Sequence, residues 1–279
     1  MIGALIGDIC GSVYEFNNEK DIKKIELFAP GCYPTDDSVM TVAVARALMD
    51  ARGRSDRRTH ALLVDSMHYF GHIFPGAGYG GTFYHWLKDN HREAYNSWGN
   101  GSAMRVSSVG WMYDSLEETL KYARISAEVT HNHPEGIKGA EAIAACIYLA
   151  RTGKSRAEIK DYVETNFYRL NFTLDELRPI YEFDVSCQGS CPVAIEAFLE
   201  SASFEGAIKL AISVGGDSDT IAAMTGAIAE AFYGIPDEIM AKVLEVLKDY
   251  KTKRGHIYRN SILLEECFRF KNQLKKEEI

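Results

Sequence analysis

Two short stretches carry more oxygen ligands than a helical chain of this composition needs. PTDDS, residues 34–38, sets Thr35, Asp36 and Asp37 ahead of the apolar run VMTVAVARAL. GGDSDT, residues 215–220, sets Asp217, Asp219 and Thr220 ahead of IAAMTGAIAEAF. A carboxylate in the first turn of a helix is ordinarily a solvated response to the helix dipole, contributing about 0.3–1 kcal/mol. Either cluster alone has that reading. Together they put four carboxylates and two hydroxyls on Ala- and Val-rich helices of the kind that are buried. Buried carboxylates without a partner are prohibitively costly. No Lys or Arg lies within four residues of Asp217 or Asp219, so a cation is the economical compensation. Ligands that are all oxygen select hard ions, Mg²⁺ or Mn²⁺ before Zn²⁺. Their number exceeds what one Mg²⁺ takes from protein and points to two ions. Spacing does not establish that the two stretches meet.

The elements that would position them are helical. SVMTVAVARALMD, residues 38–50, has helical periodicity and a high Ala content, with Thr35 as its N-cap. Ser115 with Glu118, Ser155 with Glu158 and Thr173 with Glu176 fit the capping box. Pro192 suits a first helical position after Ser190 and Cys191. Stops fall at Gly153, at Gly215–Gly216 and at Gly234 before Pro236. No alternating β-branched run is long enough for a sheet, and no hairpin dipeptide joins two strand-like runs. The expectation is an all-α protein of roughly a dozen helices. FPGAGYGG, residues 74–81, is a glycine-rich loop able to bring backbone close to a ligand. Nothing resembles a linker or repeat, so residues 1–279 are read as a single domain with a frayed Lys/Glu-rich tail at 274–279.

Composition excludes several function classes. The chain of 279 residues is 46% hydrophobic and 25% charged, as in a soluble globular protein. A net charge of −8 with no basic run makes nucleic acid an unlikely partner. It leaves room for an anionic small molecule, because a bound metal inverts the local sign. MIGALIGDICGS is short, lacks a basic start and contains Asp8, so neither a signal peptide nor a membrane span is read there. Six cysteines without metal-ligand spacing suit a reduced, cytoplasmic protein. A monomer is expected.

The motifs in order, GALIGDICGSVYE (3–15), PTDDS (34–38), AGYGG (77–81), SWGNGSAMR (97–105), Thr130–His131 and SVGGDSDTIAAMTGAIAEAFYG (213–234), resemble the ADP-ribosylglycohydrolase family, which includes dinitrogenase reductase-activating glycohydrolases and ADP-ribosyl-acceptor hydrolases. The resemblance spans about residues 1–235. It implies an all-α orthogonal bundle, two Mg²⁺ or Mn²⁺ ions, and release of ADP-ribose from modified side chains, with arginine favoured. Thr35, Asp36, Asp37, Asp217, Asp219 and Thr220 match the family's metal ligands. Ser97, Trp98, Gly99 and Asn100 match the loop around the diphosphate, Trp98 standing where an aromatic can stack on adenine. Gly78, Tyr79 and Gly80 match a loop near the distal ribose, His131 a diphosphate-side contact and Glu15 an acid near the metals. Ser38 and Ser218 stand where the family usually has threonine, and both keep a hydroxyl. The segment 160–190 has no clear match and is where acceptor recognition could vary.

The implied chemistry is hydrolysis through an oxocarbenium-like transition state. Asp36 or Asp219 is the candidate general base. Glu15, read as ending an apolar helix, orients water or assists the leaving group. The backbone of Gly99, Asn100, Gly101 and Ser102, at a helix start, holds the diphosphate. Asp8 reads as structural. His131 in THNHPEG also reads as a surface turn residue, and Trp98 as a core plug. The alternatives are a hydrolase of a free ADP-ribose-type metabolite and a non-catalytic ADP-ribose-binding relative.

Overall fold

The start and stop signals resolve into fifteen α-helices among residues 1–251 and 257–275, which this computed structural model describes. In chain order they are α1 (Ile2–Gly11), α2 (Asp36–Ala51), α3 (Asp56–Ile73), α4 (Gly81–Lys88) and α5 (Gly101–Met104). Next come α6 (Ser107–Met112), α7 (Leu116–Glu128), α8 (Pro134–Arg151), α9 (Arg156–Asn166) and α10 (Leu174–Leu177). The series ends with α11 (Cys187–Glu200), α12 (Phe204–Val214), α13 (Ser218–Tyr233), α14 (Asp237–Val246) and α15 (Ser261–Lys275). A two-residue antiparallel ladder pairs Tyr250 with Tyr258 and Lys251 with Ile257, too short to make a layer. The fold is all-α. No helix among the described residues is long and apolar enough to cross a membrane. Of the tail read as frayed, 274 and 275 close α15, and 276–279 lie outside the described residues.

Local chemistry sets the helix ends. Thr35 caps α2 by accepting from the Asp37 amide at 3.3 Å. Ser155 and Thr173 form complete capping boxes with Glu158 and Glu176. Gly153, Gly215 and Gly234 take φ of +83°, +82° and +73° just beyond helix ends, where L side chains are strained. Pro192 departs from expectation. It lies inside α11, whose cap is Ser186, and not at its first position. Its missing N–H spares the carbonyl of Gln188, an exposed residue that water can serve. Glu15 also differs: α1 stops at Gly11, leaving Glu15 in the turn that follows.

Every residue of α1 is buried, and Gly3, Gly7 and Gly11 form one stripe along it. A Cβ on Gly3 would stand 2.2 Å from the Gly226 carbonyl oxygen, and one on Gly7 1.9 Å from that of Ala222. On Gly11 it would lie 2.4 Å from the Asp219 Cα. Helices α1 and α13 therefore touch backbone to backbone, and α13 in turn packs on α8, α11 and α12. That seam brings the middle of α1 and the turn after it to the first turn of α13, and α2 packs on both helices.

Candidate functional site

Where the starts of α2 and α13 converge beside α1, a cavity of about 560 Å³ opens, a volume typical of small-ligand sites. Thr35, Asp36, Asp37, Asp217, Asp219 and Thr220 all line it, so the two acidic stretches meet in space. Single oxygens of Asp8, Asp37 and Asp219 lie within 4.8 Å of one another, as do those of Glu15, Asp217 and Asp219. Asp219 is common to both triads. Asp36 joins neither; it lies along the wall formed by the 74–81 loop, where a Cβ on Gly78 would be 3.6 Å from Asp36 Oδ1. Gly78 takes φ +99°, which lets the backbone turn over that carboxylate.

Hydrogen bonds hold the triads in place. Thr220 Oγ1 donates to Asp37 Oδ2 at 3.2 Å. Asn100 Nδ2 donates to Asp217 Oδ2 at 2.6 Å, tying the 97–101 loop to α13. The two serines in the acidic stretches serve α1: Ser38 Oγ donates to Asp8, and Ser218 Oγ donates to the Gly11 carbonyl at 3.4 Å.

The electrostatics are those of carboxylates crowded without a counterion. Asp36 is pushed up to about 8 by burial, then by the charges of Asp8 and Asp217. Glu15 is pushed up to about 7 by burial, then by Asp217 and Asp8. Asp8 rises only to about 6, because hydrogen bonds from Ser38 and Thr35 oppose the burial. Burial and mutual repulsion hold Asp37 and Asp219 well above the usual carboxylate range. Asp37 Oδ1 is buried without a hydrogen-bond partner. Two carboxylate triads, an orphaned oxygen and threonine hydroxyls fit hard divalent cations.

Across the cavity stands the 97–101 loop, anchored to the segment before α11. The Cys187 amide donates to the Trp98 carbonyl at 2.9 Å, and the Asn100 amide to that of Val185 at 2.8 Å. Ser97 Oγ accepts the Gly99 amide at 3.1 Å. Two of the four amides expected to face a diphosphate are therefore engaged internally. No partner among the described residues takes those of Gly101 and Ser102. His131 is buried at 5% exposure and lines the cavity, not the surface turn that its sequence context suggests. Burial, then the Arg105 charge, lowers its pKa well below the usual range.

Three expected contacts do not line this cavity. Ser102 is fully buried, its hydroxyl donating to the Gly136 carbonyl at 2.6 Å. Tyr79 packs on Phe83, its hydroxyl buried and unpartnered. Trp98 points outward at 53% exposure beside the His133 ring, which removes its reading as a core plug. At the mouth, Phe16 and Phe183 stack at 6.1 Å while remaining 83% and 50% exposed.

Two residues escaped the sequence reading. Asp8, structural by its place in the sequence, belongs to a carboxylate triad; its signal is an acid inside an otherwise apolar helix. Arg105 is 1% exposed and lines the cavity; its signal was a lone cation in the small, apolar stretch SAMRVSSVG.

Comparison with known proteins follows this geometry. The family model described as ADP-ribosylglycohydrolase matches residues 1–268. The chain is 29% identical over 313 aligned positions to ADP-ribosylhydrolase ARH3 of Homo sapiens, covering 84% of each chain. It is 24% identical over 270 positions to ADP-ribosylarginine hydrolase Tri1 of Pseudomonas putida (strain GB-1), covering 87% of this chain and 72% of that one. A solved structure titled ADP-ribosylglycohydrolase-related protein complex superimposes with a TM-score of 0.64 at 20% identity, over 88% of this chain and 94% of the other, a likeness of fold.

Proposed function

The chain belongs to the ADP-ribosylglycohydrolase family and is a hydrolase of ADP-ribosyl bonds, and on that premise we propose that it cleaves the glycosidic bond between ADP-ribose and a modified protein side chain, arginine before others. In this reading two divalent cations, Mg²⁺ or Mn²⁺, are held by Thr35, Asp36, Asp37, Asp217, Asp219 and Thr220, with Asp8 completing the set. The observation that carries it is the pair of carboxylate triads sharing Asp219, set beside one cavity that Gly101 and His131 also line.

Bound cations supply charge compensation, a grip on vicinal hydroxyls and a water of lowered pKa. The chain's own groups do the rest. Asp36 or Asp219 accepts the proton of the attacking water as the anomeric carbon gains oxocarbenium character. Glu15, half-buried at the cavity mouth, orients water or assists the departing nitrogen or oxygen. Gly101 and His131 hold the diphosphate, with Ser97, Gly99, Asn100 and the buried Ser102 shaping their loop. Gly78 and Gly80 wall the distal ribose with Tyr79 packed behind them, and Trp98 offers its exposed face to adenine. The exposed Phe16–Phe183 pair favours an arginine acceptor, because a planar guanidinium rests well on aromatic faces beside an acid.

Release of free ADP-ribose from arginine-linked and serine-linked substrates, measured with Mg²⁺, with Mn²⁺ and with chelator, tests the proposal. Chelator-sensitive release that prefers the arginine linkage is expected. No release from either, with ADP-ribose still bound in calorimetry, would replace it with hydrolysis of a free metabolite or with sensing.

A further inference from the structure

Arg105 is among the largest fully buried side chains, yet it has no carboxylate partner among the described residues. Its Nη2 donates to the Ser126 carbonyl at 3.1 Å and to Thr130 Oγ1 at 2.8 Å. Thr130 Oγ1 in turn lies 2.7 Å from His131 Nδ1. The opposite ring nitrogen, Nε2, faces the loop across the cavity: it is 3.0 Å from where a Cβ on Gly101 would sit and 3.6 Å from one on Gly99.

We propose that Arg105 and Thr130 are positioning residues that set His131 as the tautomer with its proton on Nε2, making the ring a donor into the cavity. The relay geometry and the guanidinium charge carry the argument together. A guanidinium only donates, so Thr130 Oγ1 must accept from it and keeps one O–H to give. His131 Nδ1, at 2.7 Å, is the acceptor set in line for that O–H, and taking it leaves Nδ1 the unprotonated nitrogen. The positive guanidinium behind Thr130 favours the same choice, since it stabilises a lone pair turned toward it and disfavours an N–H there. A buried, neutral imidazole has only these two tautomers. Nε2–H then adds a donor to the amide of Gly101, and the guanidinium adds positive potential from within the wall. An acidic protein thereby has an anion site at one end of a cavity whose other end is carboxylate. The inference rests on the reading of the site given above for what the donor meets, a diphosphate, and on geometry alone for the tautomer.

The test is nitrogen NMR of protein labelled with ¹⁵N in its histidine rings, with His131 assigned by difference against His131→Gln. In the unliganded parent protein, Nδ1 is expected at the shift of an unprotonated ring nitrogen and Nε2 at that of a protonated one. In Thr130→Val the signature is expected to reverse or average, and ADP-ribose is expected to bind about tenfold more weakly with kcat nearly unchanged. A proton on Nδ1 in the parent protein overturns the proposal, and that measurement requires no variant to fold. An unchanged tautomer with unchanged affinity in Thr130→Val overturns it equally. Because the tautomer is read without ligand, its failure is distinct from failure of the ADP-ribosyl reading, which would show as a parent protein that does not bind ADP-ribose at all.

Discussion

Asp8 caps a helix that is not its own: its Oδ2 accepts the Thr35 amide at 2.9 Å while its Oδ1 accepts the Thr35 hydroxyl at 2.6 Å. The Ser38 amide joins at 3.1 Å. One carboxylate, carried by α1, thus fixes the first turn of α2 on which Asp36 and Asp37 stand. Asp8→Ala would strand these buried donors, at a cost of about 2 kcal/mol. Lower thermal stability and weaker Mn²⁺ binding by calorimetry are expected together. A stable variant with parental Mn²⁺ affinity would return Asp8 to a bystander.

Asp219 is the oxygen donor common to both triads. Asp219→Asn is expected to abolish hydrolysis and to remove calorimetric evidence for a second cation, with helicity by circular dichroism unchanged. The metal-free variant should also melt higher than the parent, because one source of like-charge repulsion is gone. Asp36→Asn should lose activity as well; full turnover in both variants would end the two-cation proposal.

The pH dependence of stability follows from the raised carboxylates. In chelated protein Glu15 and Asp36 hold protons up to about pH 7 and 8, whereas the unfolded chain releases them near 4.5 and 3.8. The folded state binds more protons across that window, so stability falls as pH rises through it. His131 acts in the opposite sense only below about 6.5, where the unfolded chain takes up the proton that the buried ring refuses. The melting temperature of chelated protein is therefore expected to drop between pH 6.5 and 8, and saturating Mn²⁺ to flatten that drop. A rise over the same interval would contradict the electrostatic account.

Gly7 leaves no room for a methyl group, which would stand 1.9 Å from the Ala222 carbonyl oxygen. Gly7→Ala has to part α1 from α13, at a cost of about 3 kcal/mol. Since the same seam sets Asp8 against Asp219, Mn²⁺ affinity should fall with the melting temperature. A destabilised variant that binds Mn²⁺ normally would show that seam and site are independent.

Phe16 is so exposed that its removal should leave the fold alone. Phe16→Ala is expected to raise KM for an arginine-linked substrate a few-fold, the size of an exposed cation–π contact, with affinity for free ADP-ribose unchanged. Equal loss for serine-linked and arginine-linked substrates would remove the guanidinium from the argument.

The sequence by itself determined the helices and the identity of the ligand-bearing turns. Caps such as Ser155 with Glu158, stops such as Gly215, and Thr-Asp-Asp before an apolar run are local signals, because first-turn amides and left-handed backbone are satisfied by residues a few positions away. It also held the stripe Gly3, Gly7, Gly11, though not what the stripe would touch. Tertiary structure decided the rest. Whether residues 35–37 meet 217–220 depends on how closely α1 and α13 approach. Whether Asp8 is a bystander depends on where the start of α2 lands. Trp98 turning outward depends on the segment before α11 anchoring the 97–101 loop, and His131 turning inward on its packing against Thr130 and Tyr95. Arg105 is the clearest case: its chain neighbours are small or apolar, and its role comes from Ser126 and Thr130, which only folding brings within hydrogen-bond reach of it, and through Thr130 from His131. Hydrogen bonds and Coulomb forces act over a few ångströms in space, so a sequence shows which groups are available and the packed backbone decides which of them meet.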